Sequence, residues 1–175
     1  RYSIQSQNEF MMKGSIIHEV FETILVNNDE KKIEDNLNES LNKRALEFAL
    51  TGINPGTMVQ AVQPHIEALS DYVENQPITE KTDIASERFI INPKLGLKGK
   101  IDAVIYNVAS MKAIELKTGK TYGGKVKDGH AFQAQAYSLL MEDKYDQSIK
   151  DPTVLYSGDH PFTTNLGKKV PFDYT

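Results

Sequence analysis

The sequence has no cysteine among its 175 residues. A segment without thiols cannot hold a cysteine-ligated zinc ion or an iron–sulfur cluster, and it has no thiol nucleophile. It also has no apolar run of about 18 residues, and it opens with Arg1-Tyr2-Ser3 rather than with a basic and then apolar leader. We therefore expect no membrane span, no signal peptide, and an intracellular protein that is cytoplasmic if bacterial. The missing initial methionine suggests a domain taken from a larger protein.

The length suits a single domain, residues 1–175, with its own hydrophobic core. Apolar residues at helical spacing predict helices over about 11–26, 33–50, 57–74 and 130–142. Short β-branched runs predict strands over about 84–91, 97–106, 111–117 and 153–156. We therefore expect an α/β fold with a helical section at about 10–75 and a core at about 82–157.

Charge is distributed unevenly along the chain, although the net charge is only −4. Residues 1–93 carry 8 basic and 15 acidic groups, residues 94–127 carry 8 and 2, and residues 128–175 carry 4 and 7. The basic groups of the middle segment are all lysines: Lys94, Lys98, Lys100, Lys112, Lys117, Lys120, Lys125 and Lys127. Such a segment is either a solvated lysine-rich surface or a surface that binds a polyanion.

The second and third predicted strands are joined by a short link at 107–110, which predicts an antiparallel hairpin. If the turn lies at the centre of that link, Asp102 faces Glu115 and Lys100 faces Lys117. The four side chains then share one face at the end of a strand pair that is otherwise apolar on both sides. We expect helices to cover both faces of this sheet. A shift of one residue would move Asp102 to the opposite face.

Opposed carboxylates repel each other, and a divalent cation would compensate both. Asp102 and Glu115, with the backbone carbonyl of Leu116 and water, would form the hard oxygen shell that Mg²⁺ or Mn²⁺ prefers. Lys117 would then orient bound water or stabilise charge on a phosphate. The same residues also fit a cross-strand network of salt bridges without a metal. Glu87, in the preceding strand, is either a further carboxylate of the site or a salt-bridge partner.

Two predicted helices carry further polar candidates. His18 borders the apolar stripe of the first helix, where a histidine is either a core residue or a ligand. On the last helix, His130, Gln133 and Tyr137 share one face. That stripe is either a hydrogen-bonded core element, or it holds a phosphate backbone and orders Lys117.

Four separated motifs follow one another between residues 10 and 157. They are Gly14-Ser15-Ile16-Ile17-His18, Gly96-Leu97-Lys98-Gly99-Lys100-Ile101-Asp102, Ile114-Glu115-Leu116-Lys117-Thr118-Gly119-Lys120 and Gln133-Ala134-Gln135-Ala136-Tyr137. In this order they resemble the RecB-type branch of the PD-(D/E)XK nuclease superfamily. Within that branch they are most similar to the nuclease domains of DNA replication helicase/nucleases and to CRISPR-associated single-strand exonucleases. The resemblance implies a restriction-endonuclease-like core, in which helices flank a central mixed β-sheet.

The resemblance also implies roles for individual residues. It makes His18, Asp102, Glu115 and the Leu116 carbonyl the ligands of Mg²⁺ or Mn²⁺, and Asp102, Glu115 and Lys117 the catalytic set. Gln133 and Tyr137 would support the site and the DNA backbone, with Lys100, Lys120 and His130 as further candidates for DNA contact. Relatives often carry four cysteines that bind an iron–sulfur cluster. This chain has no cysteine, so we expect no such cluster within it.

The expected function is hydrolysis of DNA phosphodiester bonds, on single strands or free ends, in DNA replication, repair or recombination. DNA is the expected partner, a helicase is expected in the same parent chain, and no membrane is involved. Two alternatives stay open. One is a non-catalytic DNA-binding arm of a helicase-nuclease, and the other is a site-specific duplex endonuclease. The residues do not distinguish an exonuclease from an endonuclease.

Overall fold

A computed structural model describes residues 4–76, 82–106, 111–121, 123–146, 149, 152–159 and 167–169. The chain divides into two compact units, Arg1–Asn75 and Gln76–Thr175. The expected single domain over residues 1–175, with a helical section and a catalytic core, stays a prediction. The expected α/β class is confirmed, with a helical N-terminal section and a mixed sheet beside a helix. In the described ranges, no helix combines the length and apolar character needed to cross a bilayer.

The first unit consists of helices α1 (Ile4–Val26), α2 (Glu30–Lys43), α3 (Ala45–Thr51) and α4 (Pro55–Glu74). The second predicted helix is two helices, because Arg44 departs from helical geometry between them. The glycine after α3, Gly52, has a φ of 71°, a left-handed conformation that ends helices. Asn54 then caps α4 by accepting a hydrogen bond from the Thr57 N–H at 3.2 Å.

Helix α1 begins earlier than the apolar pattern predicted, and it packs against α2 and α4. The predicted stripe is buried, with at most 3% exposure at Ile17, Val20, Phe21, Ile24 and Leu25. A polar contact also joins α1 to the end of α2. The Arg44 guanidinium donates to both carboxylate oxygens of Glu19, and the Ser40 hydroxyl donates to the same group at 2.6 Å.

The second unit contains a sheet whose strand order is β1-β2-β3-β4-β5. The strands are β1 (Asp83–Asn92), β2 (Leu97–Tyr106), β3 (Met111–Lys117), β4 (Thr153–Tyr156) and β5 (Gly167–Lys169). Strands β3 and β4 pair in parallel and the other neighbours pair antiparallel, so the sheet is mixed. The first four strands were predicted, whereas β5 lies in a tail whose sequence has no clear pattern. Parallel β3 and β4 require a crossover, and helix α5 (Asp128–Tyr145) lies in it.

Helix α5 covers part of the sheet. One buried cluster joins sheet residues Val104, Met111 and Ala113 to α5 residues Leu140 and Met141. Sheet residues of the alternate positions are buried as well, including Ala103, Ile114 and Leu116. The expectation of a sheet that is apolar on both faces is therefore confirmed.

Candidate active site

Strands β2 and β3 pair in the expected register. The described pairs run from Ala103 opposite Ile114 to Tyr106 opposite Met111. The link at 107–110, on which the turn was expected, lies outside the described residues. Because the register holds, Asp102 and Glu115 are the first residues beyond the last described pair, one on each strand.

Beyond that pair, β2 continues alongside β1 and β3 alongside β4. The Asp102 carboxylate connects β2 to β3 at this point, because its Oδ2 accepts a hydrogen bond from the Leu116 N–H at 2.7 Å. The expected opposition of Lys100 and Lys117 is not among the described pairs. On the other side of β2, Lys100 lies opposite Phe89 of β1. At the polar end of the hairpin, β2 and β3 therefore separate and no longer pair as a ladder. We call this point, at Asp102 and Glu115, the parting of β2 and β3.

The carboxylate of Glu115 is buried beside the partly buried ammonium of Lys117. Its side chain is 5% exposed, and the Lys117 side chain is 23% exposed. The Lys117 ammonium donates to Glu115 Oε1 at 2.6 Å and to the Gln133 side-chain carbonyl at 2.9 Å. An ammonium has three N–H donors, so these contacts fix its position and leave one donor for a further acceptor. Such pairing also offsets the cost of burying the Glu115 charge.

The polar stripe of α5 holds Lys117 through two side chains, Gln133 and Tyr137. The Gln133 amide, which accepts from Lys117, donates to the Tyr137 hydroxyl at 2.9 Å. The Lys100 main-chain N–H donates to that same hydroxyl. The Tyr137 ring lies against Gly99, where a Cβ atom would come within 3.0 Å of ring atom Cε1. The stripe therefore orders Lys117, as one of the two interpretations expected, while contact with a phosphate backbone stays a prediction.

The environment of Tyr137 keeps its hydroxyl protonated. Burial raises the pKa of Tyr137, and the negative charges of Glu115 and Asp102 raise it further. The hydrogen bonds from Gln133 and from the Lys100 N–H act in the opposite direction but do not outweigh burial. Tyr137 therefore acts as a neutral hydrogen-bonding group rather than as a base.

His130 has a different partner from the rest of the stripe. Its Nδ1 lies 2.7 Å from the hydroxyl of Tyr156, a fully buried residue of β4 that also accepts from the Lys127 N–H at 3.2 Å. Burial lowers the pKa of His130, and the positive charges of Lys117 and Lys127 lower it further. His130 thus ties the start of α5 to β4, and its proposed contact with DNA stays a prediction.

Glu87 forms a salt bridge at the exposed edge of the site. The Lys100 ammonium donates to Glu87 Oε2, and both side chains are largely exposed. Glu87 has a φ of 48°, which is uncommon for a residue other than glycine. The neighbouring pairs, Ser86 with Ala103 and Arg88 with Ile101, place it beside Asp102 in the sheet. Of the two interpretations offered for Glu87, the contacts favour the salt bridge.

Two predicted site residues belong to elements other than the sheet. His18 is half-buried on α1, which belongs to the first unit. Lys120 is exposed in the loop that follows β3. Metal ligation by His18 and DNA contact by Lys120 both stay predictions.

The donor atoms of the sheet fit a hard divalent cation. Asp102 and Glu115 are carboxylates with hard oxygen donors, which Mg²⁺ and Mn²⁺ prefer. Among the described residues, no three histidine, aspartate or glutamate side chains form a metal-binding group. Further ligands would therefore come from elsewhere, and the Leu116 carbonyl, His18 and water remain the expected ones.

Two residues that support the site were not predicted. Tyr156 resembles an ordinary core residue of a short strand, and Asp159 lies in a 3₁₀ turn, Ser157–Asp159, with no recognisable pattern. The Asp159 carboxylate accepts from the Thr121 N–H at 3.1 Å, and the Gly158 N–H donates to the Gly119 carbonyl at 3.2 Å. These contacts fix the loop that follows Lys117. They join segments far apart in sequence, so no local signal reveals them.

Comparison with known proteins points to DNA replication factors. A family model described as "DNA replication factor Dna2" matches residues 1–87. The DNA replication ATP-dependent helicase/nuclease dna2 of Schizosaccharomyces pombe is 24% identical over an aligned length of 168 residues, and the match covers 83% of this chain. The chain spans 12% of the length of that relative. The family match ends before Asp102, whereas an alignment of that coverage necessarily includes β2 and β3.

Proposed function

We propose that this chain is a metal-dependent DNA nuclease of the RecB-type branch of the PD-(D/E)XK superfamily. It hydrolyses phosphodiester bonds of single-stranded DNA or of free ends during DNA replication or repair. The observation that carries the proposal is the position of Lys117, held between Glu115 and Gln133 where β2 and β3 part at Asp102. Similarity to a helicase/nuclease supports the replication context, and a helicase in the same parent chain is part of the proposal.

Asp102 and Glu115 would hold Mg²⁺ or Mn²⁺, which when bound polarises the phosphate and activates water. Lys117 stabilises negative charge that builds on the phosphate, because its ammonium is already desolvated and fixed before substrate arrives. Gln133 prevents the Lys117 side chain from leaving this position. Tyr137 in turn fixes the Gln133 amide, so the lysine is oriented through two successive hydrogen bonds.

The test is cleavage of a labelled single-stranded oligonucleotide with Mg²⁺ or Mn²⁺, before and after addition of EDTA. We expect EDTA to abolish cleavage, and Glu115→Gln and Lys117→Met each to lower kcat by about 100-fold or more. Glu87→Gln is the matched control, since it removes a lysine-paired carboxylate of the neighbouring strand and should change kcat by less than about threefold. Full activity in Glu115→Gln, or cleavage that persists in EDTA, would contradict the proposal.

A non-catalytic DNA-binding arm is the second candidate function. The Lys117–Glu115 contact favours it, because an ammonium already neutralises the carboxylate that a cation would need. The lysine-rich segment 94–127 would then only grip phosphates. Binding that weakens steeply with salt, together with no cleavage in any divalent metal, would identify this function. Preferential cleavage of one duplex sequence would instead identify the site-specific endonuclease.

A further inference from the structure

Strand β1 exposes two apolar side chains at alternate positions. Phe89 is 58% exposed and Ile91 is 60% exposed, whereas Ile90 between them is 2% exposed and belongs to the cluster under α5. Because successive side chains of a strand point to opposite faces, Phe89 and Ile91 share the face that α5 leaves open. Single exposed apolar residues are ordinary, but an exposed phenylalanine beside a second apolar residue on an edge strand is a candidate contact surface.

Two lysines lie directly across from these apolar residues. Lys100 of β2 is opposite Phe89, and Lys98 is opposite Ile91. Directly opposed residues of antiparallel strands project to the same face with neighbouring Cβ atoms. Both lysines are exposed, and Lys100 is anchored by Glu87. We call the four residues Phe89, Ile91, Lys98 and Lys100 the Phe89 platform.

This mixture of side chains fits a single strand of nucleic acid better than a protein. Lysine is depleted from the cores of protein–protein interfaces, so an apolar pair interleaved with lysines is an unusual protein-binding surface. An aromatic ring beside cations, in contrast, is the combination that binds single strands, because bases stack on the ring and phosphates bind the cations. A duplex already has its base faces stacked and offers none to Phe89. The charge of segment 94–127, with eight lysines and two acids, agrees with a polyanionic ligand.

The Phe89 platform also lies next to the candidate active site. Lys98 and Lys100 are alternate residues of β2, and Asp102 follows Lys100 after one intervening residue. Two strand residues span about 7 Å, which places the Phe89–Lys100 pair one short step from Asp102. The platform therefore lies close enough to Asp102 along β2 for one bound DNA strand to contact both.

We propose that the Phe89 platform is a binding subsite for single-stranded DNA, in which a base stacks on Phe89 while Lys98 contacts a phosphate. The subsite holds the nucleotides that flank the bond cut at Asp102 and Glu115, and in this respect it rests on the proposed nuclease function. It would make the enzyme prefer single strands, because only an unpaired base can stack on the ring.

The test is the affinity of the whole chain for a labelled oligo(dT) of roughly 12 nucleotides, measured by fluorescence anisotropy in EDTA so that no cleavage occurs. We expect Phe89→Ala to weaken binding by about 5- to 100-fold and Phe89→Trp to retain it. Lys98→Gln should reduce the dependence of log Kd on log salt by about 0.7. Affinity for a blunt duplex should change by less than about twofold in Phe89→Ala.

Phe10 provides a matched control. It is 57% exposed, with a lysine ammonium 5.6 Å from its ring centroid, but it lies in the first unit, which carries more acidic than basic groups. Phe10→Ala should leave oligonucleotide affinity unchanged. Equal losses in Phe10→Ala and Phe89→Ala would overturn the proposal, as would an unchanged affinity in Phe89→Ala. A wild-type dimer that becomes monomeric in Phe89→Ala without any loss of DNA affinity would likewise overturn it, since the surface would then join two copies.

A small diester substrate separates this subsite from the nuclease proposal. If both are correct, Phe89→Ala should raise KM for the oligonucleotide while it leaves cleavage of bis(p-nitrophenyl) phosphate unchanged. If the wild type cuts neither substrate but Phe89→Ala still weakens oligonucleotide binding, the subsite stands and the nuclease proposal fails. If catalysis on both substrates is metal-dependent and Phe89→Ala binds oligonucleotide normally, the subsite fails alone.

Discussion

Gly99 should be essential for activity although it carries no functional group. A Cβ atom on this residue would lie within 3.0 Å of Tyr137 Cε1, 3.1 Å from Cδ1 and 3.3 Å from Cζ. Real Cβ atoms do not approach that closely, so the tyrosine ring must move by about 1 Å in Gly99→Ala. The Tyr137 hydroxyl would then leave the Gln133 amide, and Gln133 would no longer fix Lys117.

Overpacking of this kind costs about 1–3 kcal/mol in a well-packed region. For a chain of this size, that loss lowers Tm by roughly 2–12 °C. A displacement of about 1 Å at a catalytic group lowers activity by about 100-fold, and the loss should appear in kcat rather than in KM. Cleavage of the labelled oligonucleotide and thermal unfolding measure the two effects.

Two further variants make this prediction decisive. Gly129→Ala is the control, because a Cβ atom there meets no atom within 4 Å, and its stability should be unchanged or higher by about 0.5–1 kcal/mol. Adding Tyr137→Leu to Gly99→Ala should restore stability by relieving the clash, but it should not restore kcat, because the hydroxyl is missing. Wild-type kcat and Tm in Gly99→Ala would refute the reasoning.

Two further predictions concern stability and pH. The lowered pKa of His130 means that the unfolded chain binds its proton more readily, so this residue contributes a loss of stability as pH falls through its ordinary value of 6.5. Urea unfolding at about pH 7.5 and 5.5 should therefore show a smaller loss for His130→Gln than for the wild type, and equal losses would contradict this. Arg44→Lys should lower the free energy of unfolding by about 0.5–1 kcal/mol, because lysine cannot donate to both carboxylate oxygens of half-exposed Glu19 as the guanidinium does. Lys43→Ala removes an exposed ion pair with Glu39 and should lower the free energy of unfolding less than Arg44→Lys does; a larger effect in Lys43→Ala would refute the assignment.

The sequence predicted those parts of the fold that depend on local pattern. The buried stripe of α1, the four longer strands and the β2–β3 register all follow from the period of apolar residues and the length of one link. The split of the second helix at Arg44 was not predicted, because nothing in the local pattern marks that residue. Helix α5 begins at Asp128, two residues before the predicted start at His130. The first turn was missed because Gly129 has a low helix propensity.

The candidate site was predicted less completely than the fold. Hydrogen bonds join the side chains of Glu115, Lys117, Gln133 and Tyr137, and Asp102 accepts from the Leu116 N–H. The roles that the family resemblance implies for these residues stay predictions. The partners of these residues were harder to predict, because they depend on where the strands part. A continued ladder would have placed Lys100 opposite Lys117. Because the strands part, Lys100 instead forms a salt bridge with Glu87. Long-range contacts such as that of His130 with Tyr156 leave no trace in local sequence.

The parting of β2 and β3 explains how one site can hold both a buried acid and a charged lysine. In a continued ladder Glu115 would lie directly opposite Asp102, and Lys100 would lie opposite Lys117 on the same face. Here the Asp102 side chain spans the gap through the Leu116 N–H, which holds the strands in place while leaving their ends apart. Lys117 neutralises Glu115 in the free protein, which offsets part of the cost of burying that charge. A dication bound to Glu115 would compete for that carboxylate, yet Gln133 would still hold the ammonium, so the lysine would stay in place and gain a free donor for the phosphate. The amide of Gln133 is therefore the element that would let one lysine stabilise the fold and also assist the proposed reaction.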